Sequence, residues 1–600
     1  MMGKRSGQDK LFASDHLYLE YVGRDTVYGY LARNRQELFP DEDFSVLYCP
    51  TNGRPSVPPS TGVSILFLRA YERVSFVEAV ERTKYDLRWK VALGLEMEDV
   101  PMQKSSLQEL EARLVLHDQG EAMLKKSIDE ARRAGYVKSH KIRAALDTTP
   151  MLGRGAVKDT YNLLADGIEK LAVRLAEVAG EPVASWAERE RFERYFGSSI
   201  KGDAAINWDD KSERNKLLTE IVQDGRRLLS LAVKAQHEHL EHAEAIQADA
   251  ALLERLIRQD VEEKPGGDCQ VKEGTEKDRI ISVHDPEMRH GRKSASKRFN
   301  GHKAAVAVDM ESQLICGVEV LAGNAGDQEK ALELVHQSER VMEAQVEETV
   351  GDCAYGGGPT REAFAQEQRP LTAKAPVSHN GACFPKSAFT IDLDRMEVRC
   401  PAGQITMEYR SAGENRGGRF VFDDTTCQAC GLRSQCVRGQ GARSISIQPA
   451  ERLQQQARAH NQTEAGRKSL RERVVVEHAI ARLVRRGIRQ SRYFGKTKTR
   501  FQLVMAAVAV NLRLVVGFCR QKLAAAIHTA VEQDASALST LSSLVTNLKN
   551  GLWAAIVISS LQSPFRNQLF GAPHHPGRSS RFSNPYRFSF SGKPGFRTNF

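Results

Sequence analysis

The spacing of apolar positions changes period several times along this chain, and each change marks an expected element boundary. Up to about residue 135 the spacing is helical. A proline-punctuated loop, NGRPSVPPS, leads into an apolar helix from Thr61 to Tyr71. Ser75, with Glu78 three residues on, forms a capping box that opens a second helix. YDLRWKVALGL around Trp89 predicts a third. Three short helices with tight connections fit a helix-turn-helix reader or a plain bundle equally. In KIRAALDTTP, residues 141–150, the pattern becomes that of a buried strand presenting Asp147 at its tip before a proline. Helical periodicity returns from Lys158 to about Glu263, as in LLADGIEKLAVRLAEVAG, and predicts a helical insertion.

Beyond the Lys-Pro-Gly-Gly break at 264–267, RIISV, HKAAVAVD (302–309) and LICGVEVLAG (314–323) predict successive strands. A helix is expected from Asp327 to about Glu343, and then a strand in ETVGDCAYGGG (348–358) that ends at Asp352 and a glycine loop. After a segment rich in Cys, Gly and Arg, helices resume from about Glu464 to Leu523, and from about Ser563 the periodicity disappears, which predicts disorder. No internal repeat is present. The expected class is mixed α+β and α/β, divided as follows: N-terminal helices (1–135), a first strand (136–157), a helical insertion (158–265), the rest of the sheet (266–370), a Cys-rich insertion (371–455), C-terminal helices (456–525) and a low-acid tail (526–600).

Composition sharpens this picture modestly. Of 600 residues, 41% are apolar and 27% charged, enough for real cores, and 86 Lys+Arg against 76 Asp+Glu leave a thin positive field. Its distribution says more: Arg467 to Arg500 holds twelve Lys/Arg against two Glu, and no acid follows Asp534. Such a run is either a solvated face or a track for phosphates, with Arg473, Arg485, Arg486, Arg489, Lys496 and Lys498 as the candidate contacts. The N-terminal residues carry charge without an apolar stretch, and Leu552–Ile558 is too short to cross a bilayer, so the expected location is cytoplasmic, with no membrane partner.

Three acids stand where chemistry is expected. Asp147 could cap the turn of Thr148, Thr149 and Pro150, and Asp352 the glycine turn. Glu477 is harder to dismiss: on a continuous helix it falls among Leu470, Val474, Ile480, Ala481, Val484 and Ile488, where an unpaired carboxylate is costly. Either Arg473, one turn earlier, or a metal ion must compensate it. Glu472, on the opposite side among Arg471, Arg482, Arg486 and Arg489, can pair at the surface at little cost. Carboxylates from two strands and a helix can hold two magnesium (or manganese) ions about 3.5–4 Å apart, the arrangement for in-line displacement at phosphorus. Separately, Cys400, Cys427, Cys430 and Cys436 fall within 37 residues, with Cys383 a substitute. Four soft ligands including a Cys-x-x-Cys pair suit a closed, structural zinc site.

The segments NGRPSVPPS with YDLRWKVALGL, LDTTPMLGRGAVKDTYNLL, DPEMRHGRKSASKRFNGHKAAVAVD and VGDCAYGGGPTREAF resemble transposases of the DDE class. More narrowly they resemble the eleven-eighty-two group of bacterial insertion sequences within the insertion-sequence-four assemblage, over roughly residues 10 to 520. The resemblance implies an RNase H-like catalytic core, with Asp147, Asp352 and Glu477 on the DDE positions, binding to terminal inverted repeats in double-stranded DNA, and a homodimer pairing the two ends. The third motif departs from the assemblage: Arg473 and Glu477 fit, while Leu470 stands in the Tyr place and Val484 in the Lys place. Arg485 and Arg486 follow directly as alternative phosphate contacts. A DNA-binding derivative that no longer cuts, an RNase H-like nuclease that cuts without joining, and a zinc-stabilised structural protein are the rival readings.

Overall fold

The computed structural model describes residues 1–3, 12–294, 296–377, 379–413 and 416–532. The chain divides into two compact units, 1–520 and 521–600. The tail from Ser563, the Leu552–Ile558 run and the acid-free stretch after Asp534 lie outside the described residues.

The organising element of the first unit is a six-stranded sheet. Its strands are β1 (Lys141–Leu152), β2 (Arg289–Arg292), β3 (Arg298–Asp309), β4 (Ile315–Ala322), β5 (Gln345–Val350) and β6 (Leu371–Thr372). β1 is central, with β3 antiparallel on one side and β5 parallel on the other; β3 also pairs β2 and β4, and β5 pairs β6. The long antiparallel pair is rich in Ala and Val, which pack closely under helices on the sheet faces: Ala144, Ala145, Leu146, Ala304, Val306 and Val308 are fully buried. RIISV does not join the sheet. Its residues run as irregular chain, and Ile280 and Val283 pack into the core of the helical insertion instead.

That insertion enters between β1 and β3 and has its own core. Helices Thr160–Ala179, Lys211–Glu238 and Ala243–Asp260 pack through Leu164, Ile168, Leu171, Ile221, Leu253 and Leu256. Gly167 permits the closest crossing: a Cβ there would lie 2.8 Å from Leu256 Cδ1.

The N-terminal helices, expected as a domain of their own, share one core with the sheet and the C-terminal helices. The reason is visible in helix Pro59–Glu72, where Val63, Ile65, Leu66, Phe67 and Leu68 are all buried. A helix that is apolar on every side cannot stand as part of a small free reader. Ser75 caps the next helix, accepting from the Glu78 backbone N–H at 3.1 Å, but the Glu78 carboxylate turns to Arg82 rather than closing the reciprocal box. A buried polar knot joins the two ends of this unit: Arg69 donates to Glu111 (2.7 Å) and to the Tyr493 hydroxyl (2.9 Å).

The last described helix, Lys496–Glu532, is long and apolar enough to cross a membrane by length and composition, yet most of its apolar window is buried inside the molecule. Leu503 to Val510 are buried without interruption. The buried polar side chain that follows this stretch, Asn511, is fully satisfied. It accepts from the Ile315 N–H (2.9 Å) and donates to the Ile315 carbonyl (2.9 Å) and the Ser127 hydroxyl (3.1 Å).

Candidate active site

β1 runs past Asp147, which sits in mid-strand opposite Val306 rather than at a tip. Parallel pairing with β5 stops at Ala145 with Val350. Between that rung and Leu152, which bonds Arg489 and Ser491, one side of β1 has no strand partner, which is why Pro150, lacking an N–H, is tolerated within a strand. Asp147 lies two residues past this last rung on β1, and Asp352 lies two residues past the end of β5, at the N-cap of the turn that follows. Both acids thus stand at the open end of the β1–β5 pair, near enough for the Asp352 charge to be felt at Asp147.

Asp352 caps the short helical turn Cys353–Gly356, its Oδ1 accepting from the Ala354 N–H at 2.8 Å. Asp147 Oδ1 accepts from the Thr148 N–H at 2.7 Å. Burial pushes the Asp147 carboxyl above its ordinary value; the Thr148 N–H and the Arg473 guanidinium oppose this, and the nearby Asp352 charge adds to it. Behind them is Tyr355, wholly buried, with its hydroxyl lacking a hydrogen-bond partner among the described residues. Burial, followed by the charges of Asp147, Asp327 and Asp352, raises its pKa. The sequence reading passed over this tyrosine; the signal was an aromatic set directly behind the acid in GDCAYGGG.

Glu477 is placed by a helix break. One helix ends at Glu472 and the next, Val474–Arg485, begins after a turn at Arg473. The wheel of the second helix is itself intact, with Val474 and Ala481 on the Glu477 side exposed. Its buried stripe is Val476, Ala479 and Leu483, and Glu477 stands beside that stripe, its side chain 54% exposed. The expectation of a carboxylate in the middle of the packed face is corrected accordingly. What compensates Glu477 is Arg473, which donates to Glu477 Oε1 at 2.6 Å and to Asp147 Oδ2 at 3.1 Å. One guanidinium thus joins an acid of the sheet to an acid of the helix. Among the described residues no three His, Cys, Asp or Glu side chains are close enough to hold a metal as they stand. The donor set is nevertheless right for a hard divalent cation, and a cationic group already occupies the space between two of the three acids.

Glu472 does not pair with the arginines expected for it. It accepts from Arg143 of β1 at 2.8 Å, and Arg143 also reaches Glu348 (2.9 Å) and the Ser469 hydroxyl (2.8 Å). The hydrogen bond with Arg143 holds the Glu472 carboxyl below its ordinary value.

The basic run after Arg467 divides into anchors and exposed cations. Arg473 bridges the acids. Arg486, expected on phosphate, is half-buried: it donates to the Tyr71 carbonyl and stacks 4.1 Å over the Tyr71 ring. Arg492 grips the Val74 carbonyl at 2.8 Å and also the Arg73 carbonyl, and Arg500 pairs with Glu319 at 2.6 Å. Lys496 lies over Glu287, which takes its backbone N–H at 2.6 Å. Arg485, Arg489 and Lys498 are exposed.

Away from the acids, two three-stranded sheets form a small separate core of Phe389, Val398, Phe420, Phe422, Ile445 and Ile447. Cys400, Cys427, Cys430 and Cys436 all line one small cavity beside it, together with Phe384 and Arg443. Burial, chiefly, raises the Cys436 thiol; Arg443 opposes this, and the other three thiols add to it. Cys383 is buried elsewhere and does not line the cavity.

Residues 399–516 match the family model of a transposase DDE domain, and residues 28–113 match a transposase domain, DUF772. The first match spans the four cavity cysteines, Arg473 and Glu477, but neither Asp147 nor Asp352. The two matches support a DDE transposase of an insertion sequence. No curated protein and no solved structure matches the chain.

Proposed function

We propose that this protein is a transposase that cleaves DNA at the inverted-repeat ends of an insertion sequence and joins the freed ends to target DNA. The carrying observation is Arg473 held between Asp147 and Glu477, with Asp352 in the turn just past the neighbouring strand, its charge felt at Asp147. In this reading the sheet is an RNase H-like core, and Asp147, Asp352 and Glu477 hold magnesium or manganese. Bound there, two such ions would activate the attacking oxygen and stabilise the leaving oxygen at phosphorus.

The chain's own part is positional. β1 carries Asp147, the turn after β5 carries Asp352, and the Arg473 bridge ties Glu477 to Asp147. Arg473 neutralises Asp147 and Glu477, and with a metal bound between the acids it would be free to meet a phosphate oxygen. Tyr355 packs behind the acids and keeps water from that side. The N-terminal helices contribute to recognition of the ends as part of the common core, and two copies pair the ends. The four cavity cysteines, drawn together from their present places around the cavity, would hold a structural zinc that closes the small Cys-rich domain.

The test is metal-dependent cleavage of a duplex carrying the element's terminal repeats, followed by a search for strand-transfer products. Cleavage without joined products would indicate a nuclease. Binding without cleavage would favour the derivative that no longer cuts, a reading to which the Arg473 bridge and the departures at Leu470 and Val484 give some weight.

A further inference from the structure

A second acid-free basic stretch, shorter than the one on the C-terminal helices, lies at the edge of the sheet. Residues 289–303, RHGRKSASKRFNGHK, contain six Lys/Arg, two His and no Asp or Glu. They form the β2–β3 hairpin, which projects from the sheet and borders an open polar groove of about 800 Å³. Lys277, Arg279, His290, Arg292, Arg298 and Lys303 line this groove, against one carboxylate, Glu276. Two of the cations are already spent internally, Arg279 on Asp260 and Lys303 on Asp327. Lys277, Arg292 and Arg298 have no ion pair among the described residues.

The hairpin register makes this costly. Arg292 and Arg298 are directly opposite each other, and like charges in facing positions of an antiparallel pair destabilise it. The pairing is nonetheless fixed. Gly291 lets the Phe299 ring lie across the hairpin, since a Cβ at 291 would fall 2.2 Å from Phe299 Cζ, and His290 Nδ1 meets Asn300 Oδ1 at 2.8 Å. A rigid scaffold that holds two uncompensated guanidinium groups face to face is built for an external anion.

We infer that this groove is a track for the phosphate backbone of double-stranded DNA, flanking the cleavage site. This rests on the transposase reading and adds to it a contact surface separate from the acids. A duplex suits the groove better than a single strand, because its one aromatic ring, Phe299, is buried and offers no face for base stacking. Lys303 and Arg298 are three and eight residues along β3 from Val306, the partner of Asp147. At about 3.4 Å per residue that is roughly 10 to 27 Å, within one turn of duplex from the cut.

The experiment uses the full chain and a duplex of unrelated sequence, with affinity measured against salt concentration. Lys277→Gln, Arg292→Gln and Arg298→Gln combined should lower the magnitude of the log–log salt slope by about 2 to 3, and Arg292→Gln alone by about 1. The Arg292→Gln protein should melt no lower than wild type, because a like-charge pair is relieved. Both variants binding with the wild-type slope would overturn the groove while leaving the transposase reading intact. A wild-type protein that binds no duplex at all would overturn both.

Discussion

The acid site and the cysteine cavity solve the same problem, gathering like groups that repel or desolvate one another, in opposite ways. Asp147, Asp352 and Glu477 come from elements more than a hundred residues apart, and the large common core holds them whether or not a metal is present. Their mutual repulsion is offset internally by Arg473. The four cysteines come from one short segment, packed on six buried apolar side chains. A core that small seldom supports itself without a staple. The difference teaches where each cation would act: in the first site it would change chemistry and hardly touch stability, and in the second the reverse.

The sharpest break in this comparison comes from the acids. Glu477→Gln, Asp147→Asn and Asp352→Asn should each lower metal-dependent cleavage by on the order of a hundredfold or more, with DNA binding retained. Asp147→Asn should melt no lower than wild type, since it removes a desolvated charge. Cleavage assays beside thermal melts decide this, and a Glu477→Gln protein that cuts normally but melts early would reduce Glu477 to a structural partner of Arg473.

Next is the cavity. Purified protein should carry about one zinc per chain. Cys427→Ser should lose it and expose roughly residues 380–447 to protease while the remaining chain stays folded. Cys383→Ser should change neither metal content nor protease pattern. Elemental analysis without zinc, and four freely reactive thiols, would erase the contrast.

A smaller effect is expected at Arg473. Its bonds to Asp147 and Glu477 are largely shielded from water on the Arg473 and Asp147 side, so Arg473→Gln should cost about 1–3 kcal/mol at neutral pH. The pH dependence has a definite sign. The Asp147 carboxyl is raised in the folded protein, so the native state holds that proton more tightly than the unfolded chain. Its contribution to stability therefore declines as pH rises from about 4, the unfolded value, through the folded value, and is constant above. Removing Arg473 raises the folded value further, and the decline should extend to higher pH. Melting temperatures across that range measure it, and curves parallel to wild type would show that Arg473 does not compensate Asp147.

The smallest effect is expected from Glu472→Gln. Arg143 keeps Glu348 and Ser469 as partners, so the cost should stay below about 1 kcal/mol with cleavage unchanged.

Much of the frame was legible from local pattern. Strands at HKAAVAVD and LICGVEVLAG, the helix at Ala331–Met342 and the Ser75 cap all lie where periodicity and capping chemistry put them. The failures share a cause, which is that tertiary packing decided them. RIISV has strand composition but is needed by the insertion's core. The helical wheel failed at Glu477 because that helix is apolar on two sides, and the side that packs is Val476, Ala479 and Leu483 rather than the side of Val474 and Ala481. Asp147 read as a strand end because a proline follows; β5 stops short, and no feature of β1 itself discloses that. The arginines after Arg467 look alike in sequence, yet which are anchors depends on carbonyls and rings such as those of Tyr71, more than 400 residues away.

The placement of the helical insertion also governs how this molecule is made. β1 pairs with β3 across about 160 residues, so during synthesis β1 leaves the ribosome roughly 8 to 30 seconds before its antiparallel partner exists. For that interval an apolar strand waits with both edges bare, a state prone to wrong pairing. The insertion shortens the wait in space: once its own core has closed, the ends of β1 and β3 are tethered by a folded body in place of a long loose loop. The insertion thus serves as an assembly jig, and destabilising its core at Leu164 or Leu253 should slow formation of the central sheet and raise aggregation of the nascent chain.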